Sequence, residues 1–283
     1  MKVVILCGGK GTRLREETQF KPKPLVEVGG MPLLWHIMKI YSHYGYKDFV
    51  LCLGYKGEMI KDYFLHFREM MHDFTLRLGQ DPHPIVHHKK DFLEDWNITF
   101  ADTGLDAHTG ARVYRIKDYI GDDEDFFLTY GDGIARIDLT KLYDHHKQKG
   151  KIATVTAIRP STFFGVLEAE DGVAKSFIEK PVMDGRVSGG FFVCNKKIMD
   201  YLRQDDDCVF EDELKKLAGD NQLAAYEHDD FWQTVNTHKD WEEINAMEAR
   251  ADTPWKVWEA DQLKLDLFQQ LSQKKKTAND TNE

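Results

Sequence analysis

The sequence predicts an α/β fold: a mostly parallel to mixed central sheet flanked by helices, with a β-rich second half. Three observations carry this expectation. Short β-branched runs alternate with amphipathic stretches through the first half of the chain. Glycine-containing turns follow two of the most apolar runs, at residues 8–11 and 131–133. Strand-like segments separated by turns then crowd residues 153–194. With 283 residues, 42% of them hydrophobic and 30% charged, the chain can bury a substantial core.

Taken in order, residues 2–7 read as a buried first strand, since Val3, Val4, Ile5 and Leu6 leave no polar face. A glycine-rich loop comes next, and then an excursion through residues 21–30. Residues 32–44 read as a helix, with Leu33, Leu34, Ile37, Ile40 and Tyr41 at helical spacing. Residues 49–53 form the second strand and residues 57–67 a second helix. A further buried strand at 126–130 runs into Gly131-Asp132-Gly133. Residues 153–158, 165–169, 173–178 and 190–194 read as short strands of a mixed region added to the parallel core. From about Asp261 the composition turns polar and lysine-rich, so residues 260–283 read as a polar C-terminal helix or tail with a frayed end.

Composition narrows the function classes. No run of about 18 apolar residues exists to span a bilayer, and the first apolar stretch is too short for a signal peptide, which makes the expected location cytoplasmic. Cys7, Cys52, Cys194 and Cys208 lack metal-ligand spacing, and most sit in apolar runs as small buried thiols. The formal net charge of −10 argues against general binding to nucleic-acid backbones. An anionic ligand therefore has to be held by a local cluster of positive groups.

Three motifs supply such a cluster. Gly8-Gly9-Lys10-Gly11-Thr12-Arg13-Leu14 directly follows the first strand. Glycines let the backbone approach a phosphate closely, and Arg13 adds a bidentate donor. No Gly-Lys-Ser/Thr ends the loop, so it is not a P-loop, and Leu14 stands where a dinucleotide fingerprint needs its third glycine. In Lys21-Pro22-Lys23-Pro24-Leu25 the prolines fix an extended backbone, exclude a helix and aim the Lys23 ammonium. Asp132 lies at the carboxyl end of a buried strand, where open α/β sheets bind ligands, and can hold a hydrated Mg²⁺ on a triphosphate. Each motif alone has a plain reading as a connector or turn; together they point to a nucleotide site.

Residues 8–14 with Pro22-Lys23-Pro24 resemble the sugar-nucleotide pyrophosphorylases, a nucleotidyltransferase family. Further stretches are similar to its glucose-1-phosphate cytidylyltransferase branch: Leu34-Trp35-His36-Ile37-Met38, Gly54-Tyr55-Lys56-Gly57, Asp102-Thr103-Gly104, Glu179-Lys180-Pro181, Phe231-Trp232-Gln233 and Pro254-Trp255-Lys256-Val257-Trp258-Glu259. The resemblance implies a single nucleotidyltransferase domain over residues 1–259, with a Rossmann-like nucleotide-binding half at about 1–150 and an acceptor-binding half at about 151–259. The implied reaction joins CTP and glucose 1-phosphate into CDP-glucose and pyrophosphate, with Mg²⁺. Leu6, Gly8, Gly9, Gly11, Thr12, Arg13, Lys23, Gly131 and Asp132 would bind the nucleotide, with Arg13, Lys23 and Asp132 catalytic. Gly165, Glu179, Lys180, Ser188 and Gly190 would line the acceptor pocket. The resemblance also implies a homo-oligomer, with residues 254–259 a candidate for assembly.

Two departures stand out. Asn236 occupies the place of the family's second metal-binding aspartate, so the metal pair Asp132 and Asn236 carries one charge only, and metal binding is expected to be weaker. Ser188 replaces an asparagine that would face the sugar phosphate. These departures open two other readings: a cytidylyltransferase for a non-hexose acceptor, or a catalytically weak sensor of nucleotide or sugar phosphate. A dehydrogenase reading fails, because the second strand ends in Gly54-Tyr55 without an acidic residue for ribose. His87-His88 and His145-His146 read as surface or packing residues, since adjacent side chains diverge. Arg112 and Arg115 are within reach of a phosphate if residues 111–115 are helical.

Overall fold

A computed structural model describes residues 1–80, 82, 84–88, 94–160, 164–179 and 181–259. Seven strands make one sheet: β1 (Lys2–Leu6), β2 (Asp48–Leu53), β3 (Asn97–Asp102), β4 (Asp125–Tyr130), β5 (Ala153–Ile158), β6 (Val187–Asn195) and β7 (Leu223–His228). Their order across the sheet is β7-β5-β6-β4-β1-β2-β3. β1 pairs in parallel with both β2 and β4, and β2 pairs in parallel with β3. β6 runs antiparallel between β4 and β5, and β7 is parallel to β5. The expected mixed α/β sheet is therefore present, and its second-half strands extend the first-half sheet.

The unbroken apolar run of β1 results from burial on both faces. Val3 and Ile5 face one core with Leu33, Ile37, Phe49, Phe127 and Phe191. Val4 and Leu6 face a second core with Val50, Ala111, Phe126, Phe192 and Phe210. Helix α1 (Leu33–His43) covers the first face, and helices α2 (Thr109–Arg115) and α3 (Phe210–Gly219) supply residues to the second. Among the described residues no helix is long and apolar enough to cross a membrane.

The predicted helix at 57–67 is observed as Gly57–Leu65, and the predicted strands at 165–169 and 173–178 as a separate hairpin, Val166–Glu170 with Val173–Ile178. β3, the helix at Leu139–Lys149 and the helix at His238–Ala249 add to the elements expected. Trp255, in the segment considered for assembly, is fully buried inside its own chain against Phe231 and His36. Residues 260–283, expected as a polar helix or tail, lie outside the described residues.

Candidate active site

All the parallel strands of the first half deliver their carboxyl ends to one edge of the sheet, and the cleft opens there. It encloses about 360 Å³ and is lined by Leu6, Gly8, Gly9, Gly11, Thr12, Arg13, Lys23, Gly131, Asp132 and Asn236, among others. Every nucleotide-binding residue expected from the sequence thus meets in one place.

The loop after β1 is held open by its own geometry. Gly11 adopts a left-handed φ of 62°, where a side chain would meet Thr18 and the Lys23 stem. Thr18 Oγ1 donates to the Gly11 and Leu14 carbonyls at 3.0 and 2.7 Å, which closes the turn. Among the described residues, the backbone N–H groups of residues 9–13 donate to no protein acceptor. Arg13 is exposed and likewise has no protein partner among them. A methyl group built on Gly9 would meet nothing within 4 Å. Free donors, a free guanidinium and open space beside the backbone make a cradle for anionic oxygens.

Arg112 performs a different task from the phosphate contact considered for it. It is 4% exposed, and its guanidinium donates to the carbonyls of Leu53, Gly104, Gly8 and Leu105 and to Thr103 Oγ1, at 2.7–3.3 Å. Burial draws its pKa below the usual arginine value. Side chains at Gly8 or Gly54 would collide with this guanidinium. Arg112 is therefore a clamp that joins the ends of β1, β2 and β3. Arg115 is spent on Thr103, Gln204 and Asp206.

Lys23 begins a single 3-10 turn, Lys23–Leu25, after Pro22 at ψ 148°. The segment is thus not extended throughout, contrary to the expectation from its prolines. The turn is tolerated because Pro24 sits where the first turn needs no N–H donor. Asp132 follows β4, and the short strand Gly133–Ala135 pairs antiparallel with Trp232–Thr234. That ribbon, closed by Val235 N–H to the Asp132 carbonyl at 2.9 Å, brings Asn236 beside Asp132 across a hundred residues of sequence. Lys23 Nζ donates to Asp132 Oδ2 at 2.7 Å and to Asn236 Oδ1 at 2.8 Å. Asn236 Nδ2 donates to Thr234 Oγ1 at 2.8 Å, which turns the amide oxygen toward the lysine. Two hard oxygens thus converge on one point, a donor set that suits a divalent cation completing its shell with water and phosphate oxygens.

A smaller cleft of about 210 Å³ adjoins the first and shares Tyr130, Asp132 and Asn236 with it. Ser188, Gly189, Gly190 and Trp232 line its far side. Here the β5–β6 ladder bulges: residues 155 and 157 of β5 oppose residues 192 and 188 of β6. Gly190, at φ 76°, leaves the space that the Tyr130 ring fills. Trp232 Nε1 donates to the Gly189 carbonyl at 2.7 Å. Gly165 and Glu179 line neither cleft; they lie together at the exposed hairpin, with the Glu179 carboxylate next to the space a Gly165 side chain would need. Lys180 lies outside the described residues.

Tyr130 and Glu211 escaped the sequence reading. Tyr130 divides the two clefts, and its hydroxyl donates to Glu211 Oε1 at 2.5 Å. Glu211 also accepts from Thr109 Oγ1 at 3.0 Å, so one carboxylate ties α2, α3 and the end of β4 together. The signal present in the sequence was Tyr130 itself, adjacent to the motif Gly131-Asp132-Gly133.

The nucleotidyl transferase family matches this chain over residues 2–250. A "probable glucose-1-phosphate cytidylyltransferase" of Bacillus subtilis (strain 168) is 50% identical over 259 residues, covering 91% of this chain and 100% of that protein. The glucose-1-phosphate cytidylyltransferase of Salmonella typhi is 46% identical over 260 residues, covering 92% and 100%. Among solved structures, a UDP-glucose pyrophosphorylase from Acinetobacter baumanii superposes with a TM-score of 0.66 at 18% identity, covering 94% of this chain and 99% of that one, which is a likeness of fold. The glycine-rich cradle, the paired clefts at the carboxyl edge of the sheet and these matches agree: the chain belongs to the nucleotidyl transferase family and is a nucleotidyltransferase.

Proposed function

We propose that the enzyme transfers CMP from CTP to glucose 1-phosphate in the presence of Mg²⁺, forming CDP-glucose and releasing pyrophosphate. The coarser reaction, nucleotidyl transfer to a sugar phosphate, is the one its relatives share. CTP and glucose 1-phosphate are proposed from those relatives, and the observation that supports transfer between two bound substrates is the common wall of the two clefts. Asp132 and Asn236 face both, so a triphosphate in one and a phosphorylated acceptor in the other meet across them.

The N–H groups of residues 9–13 and the Arg13 guanidinium receive the triphosphate, and Leu6, Gly8 and Gly131 shape the cleft floor. Lys23 neutralises charge at the reacting phosphate. A phosphate oxygen of the acceptor attacks the α-phosphorus in line, and the bond to the pyrophosphate oxygen breaks. No protein nucleophile is required. Cys7, which also lines the cleft, is fully buried and its thiol is pushed well above the ordinary range, so it stays neutral. Asp132 and Asn236 would hold Mg²⁺, which would offset the negative charge of the triphosphate. Ser188 and Gly190 face the acceptor, whereas Gly165 and Glu179, at the exposed hairpin, take no part in that contact.

The test is pyrophosphate release with each of the four nucleoside triphosphates against a panel of sugar phosphates and non-hexose phosphates. Release with CTP and glucose 1-phosphate alone supports the proposal. Release with another acceptor replaces glucose. CTP binding without release from any acceptor would mean a sensor.

A further inference from the structure

The Lys23 ammonium occupies the point on which the two oxygens of the metal pair converge, 2.7 Å from Asp132 Oδ2 and 2.8 Å from Asn236 Oδ1. Its side chain is only 13% exposed, so this is an enclosed position. In the proposed reaction the same lysine serves the reacting phosphate. A metal ion between the same two oxygens would displace it, so the ammonium takes either the metal's place or one beside the phosphate.

The charges of the group decide which place it takes. Asp132 carries −1, Lys23 carries +1 and Asn236 is neutral, so the three sum to zero. Asn236 cannot supply a second charge, and its amide nitrogen is engaged by Thr234. A free divalent cation would have to expel an ammonium from the one carboxylate present. It would do so in a cleft also lined by Arg13, which has no anionic partner among the described residues, and by Arg112, whose partners are neutral oxygens. Like charges lining one cleft repel the more strongly the less water lies between them. Among the described residues, no group of three or more His, Cys, Asp or Glu offers an alternative cation site. A triphosphate reverses this balance. It brings its own negative oxygens for the metal and gives the displaced ammonium a new anionic partner.

We infer that Lys23 is the resident cation of the metal position in the nucleotide-free enzyme. The free enzyme then binds no divalent cation of its own. Metal arrives on the nucleotide, and its arrival hands Lys23 from Asp132 to the phosphates, so that the catalytic ammonium is placed only when metal and triphosphate are both present. The inference rests on the proposed function of this cleft and adds an order of events to it.

Mn²⁺ serves as the probe, with unbound Mn²⁺ followed by electron paramagnetic resonance. Without nucleotide, wild type should leave Mn²⁺ free up to millimolar concentration. Lys23→Met, or Lys23→Gln should the first variant not fold by circular dichroism, should bind it on the order of tenfold more tightly or better. Adding Asp132→Asn to either variant should abolish that gain. Wild type should take up Mn²⁺ once CTP is added. If wild type binds free Mn²⁺ as tightly as the Lys23 variants do, Lys23 is not a placeholder and the inference is overturned. If wild type with CTP retains neither Mn²⁺ nor CTP, the proposed function falls and the inference with it.

Discussion

Gly8 and Gly9 are neighbours in the sequence, yet they are glycines for different reasons. A side chain at Gly8 would strike Arg112, whereas one at Gly9 would meet no protein atom. Gly9→Ala should therefore leave the unfolding free energy within about 0.5 kcal/mol of wild type and weaken CTP binding roughly tenfold or more, because only a bound phosphate needs that space. Calorimetry with CTP and urea unfolding separate the two effects. Asn236→Asp adds a second carboxylate beside Asp132, at the proposed metal position. It should lower the Mg²⁺ concentration for half-maximal pyrophosphate release, by roughly tenfold. The sequence made Asp132, Lys23 and the glycine loop visible because each carries a local signature of turn chemistry. It did not reveal that Arg112 is a clamp, since the partners are backbone carbonyls of three separate strand ends, and no residue type marks a carbonyl as an acceptor.

Strands buried on both faces were legible. β1, β2 and β4 are continuous apolar runs because each contributes to both cores. β3 was not, since it forms the edge of the sheet and keeps only Ala101 fully buried. The helices at Leu139–Lys149 and His238–Ala249 were missed for a related reason. The first buries Leu139, Leu142 and His146, and the second Ile244 alone, too thin a stripe to stand out from polar neighbours. The second helix is instead secured at its start by a capping box between Thr237 and Asp240, whose carboxylate also accepts from the Asn236 N–H at 2.9 Å. At this scale the clamp can be tested. Arg112→Lys offers one ammonium for five acceptors on three strand ends, so the loss should be roughly 2–4 kcal/mol of stability, together with loss of CTP affinity. Urea unfolding and calorimetry would show both; a variant with wild-type stability would refute the clamp.

At the scale of the whole molecule, the core under α1 closes on a buried histidine. His36 Nε2 donates to the Val28 carbonyl at 2.9 Å, and its ring packs edge-on to Trp255. Burial lowers its pKa from 6.5 to about 4, against the opposing pull of the Val28 hydrogen bond. Between those values the unfolded chain takes up a proton that the folded chain refuses. The contribution of His36 is thus complete above pH 6.5 and is lost as the pH falls toward 4. From pH 7 to pH 5 the loss should come to about 2 kcal/mol. Urea midpoints should track that slope, and His36→Gln should flatten it.

Trp255 has a consequence for the making of the protein. It is the last, in chain order, of the largest fully buried side chains, while its partner His36 lies on the first long helix. Synthesis proceeds at about 5–20 residues per second, so the wall formed by α1 stands uncovered for at least about ten seconds before the tryptophan that seals it has been translated. The nascent sheet spends that interval with one apolar face incomplete, which makes this face the natural point of engagement for a chaperone. Slowing translation between residues 43 and 255 should lengthen the exposure, whereas substitutions at the cleft edge of the sheet should leave it unchanged.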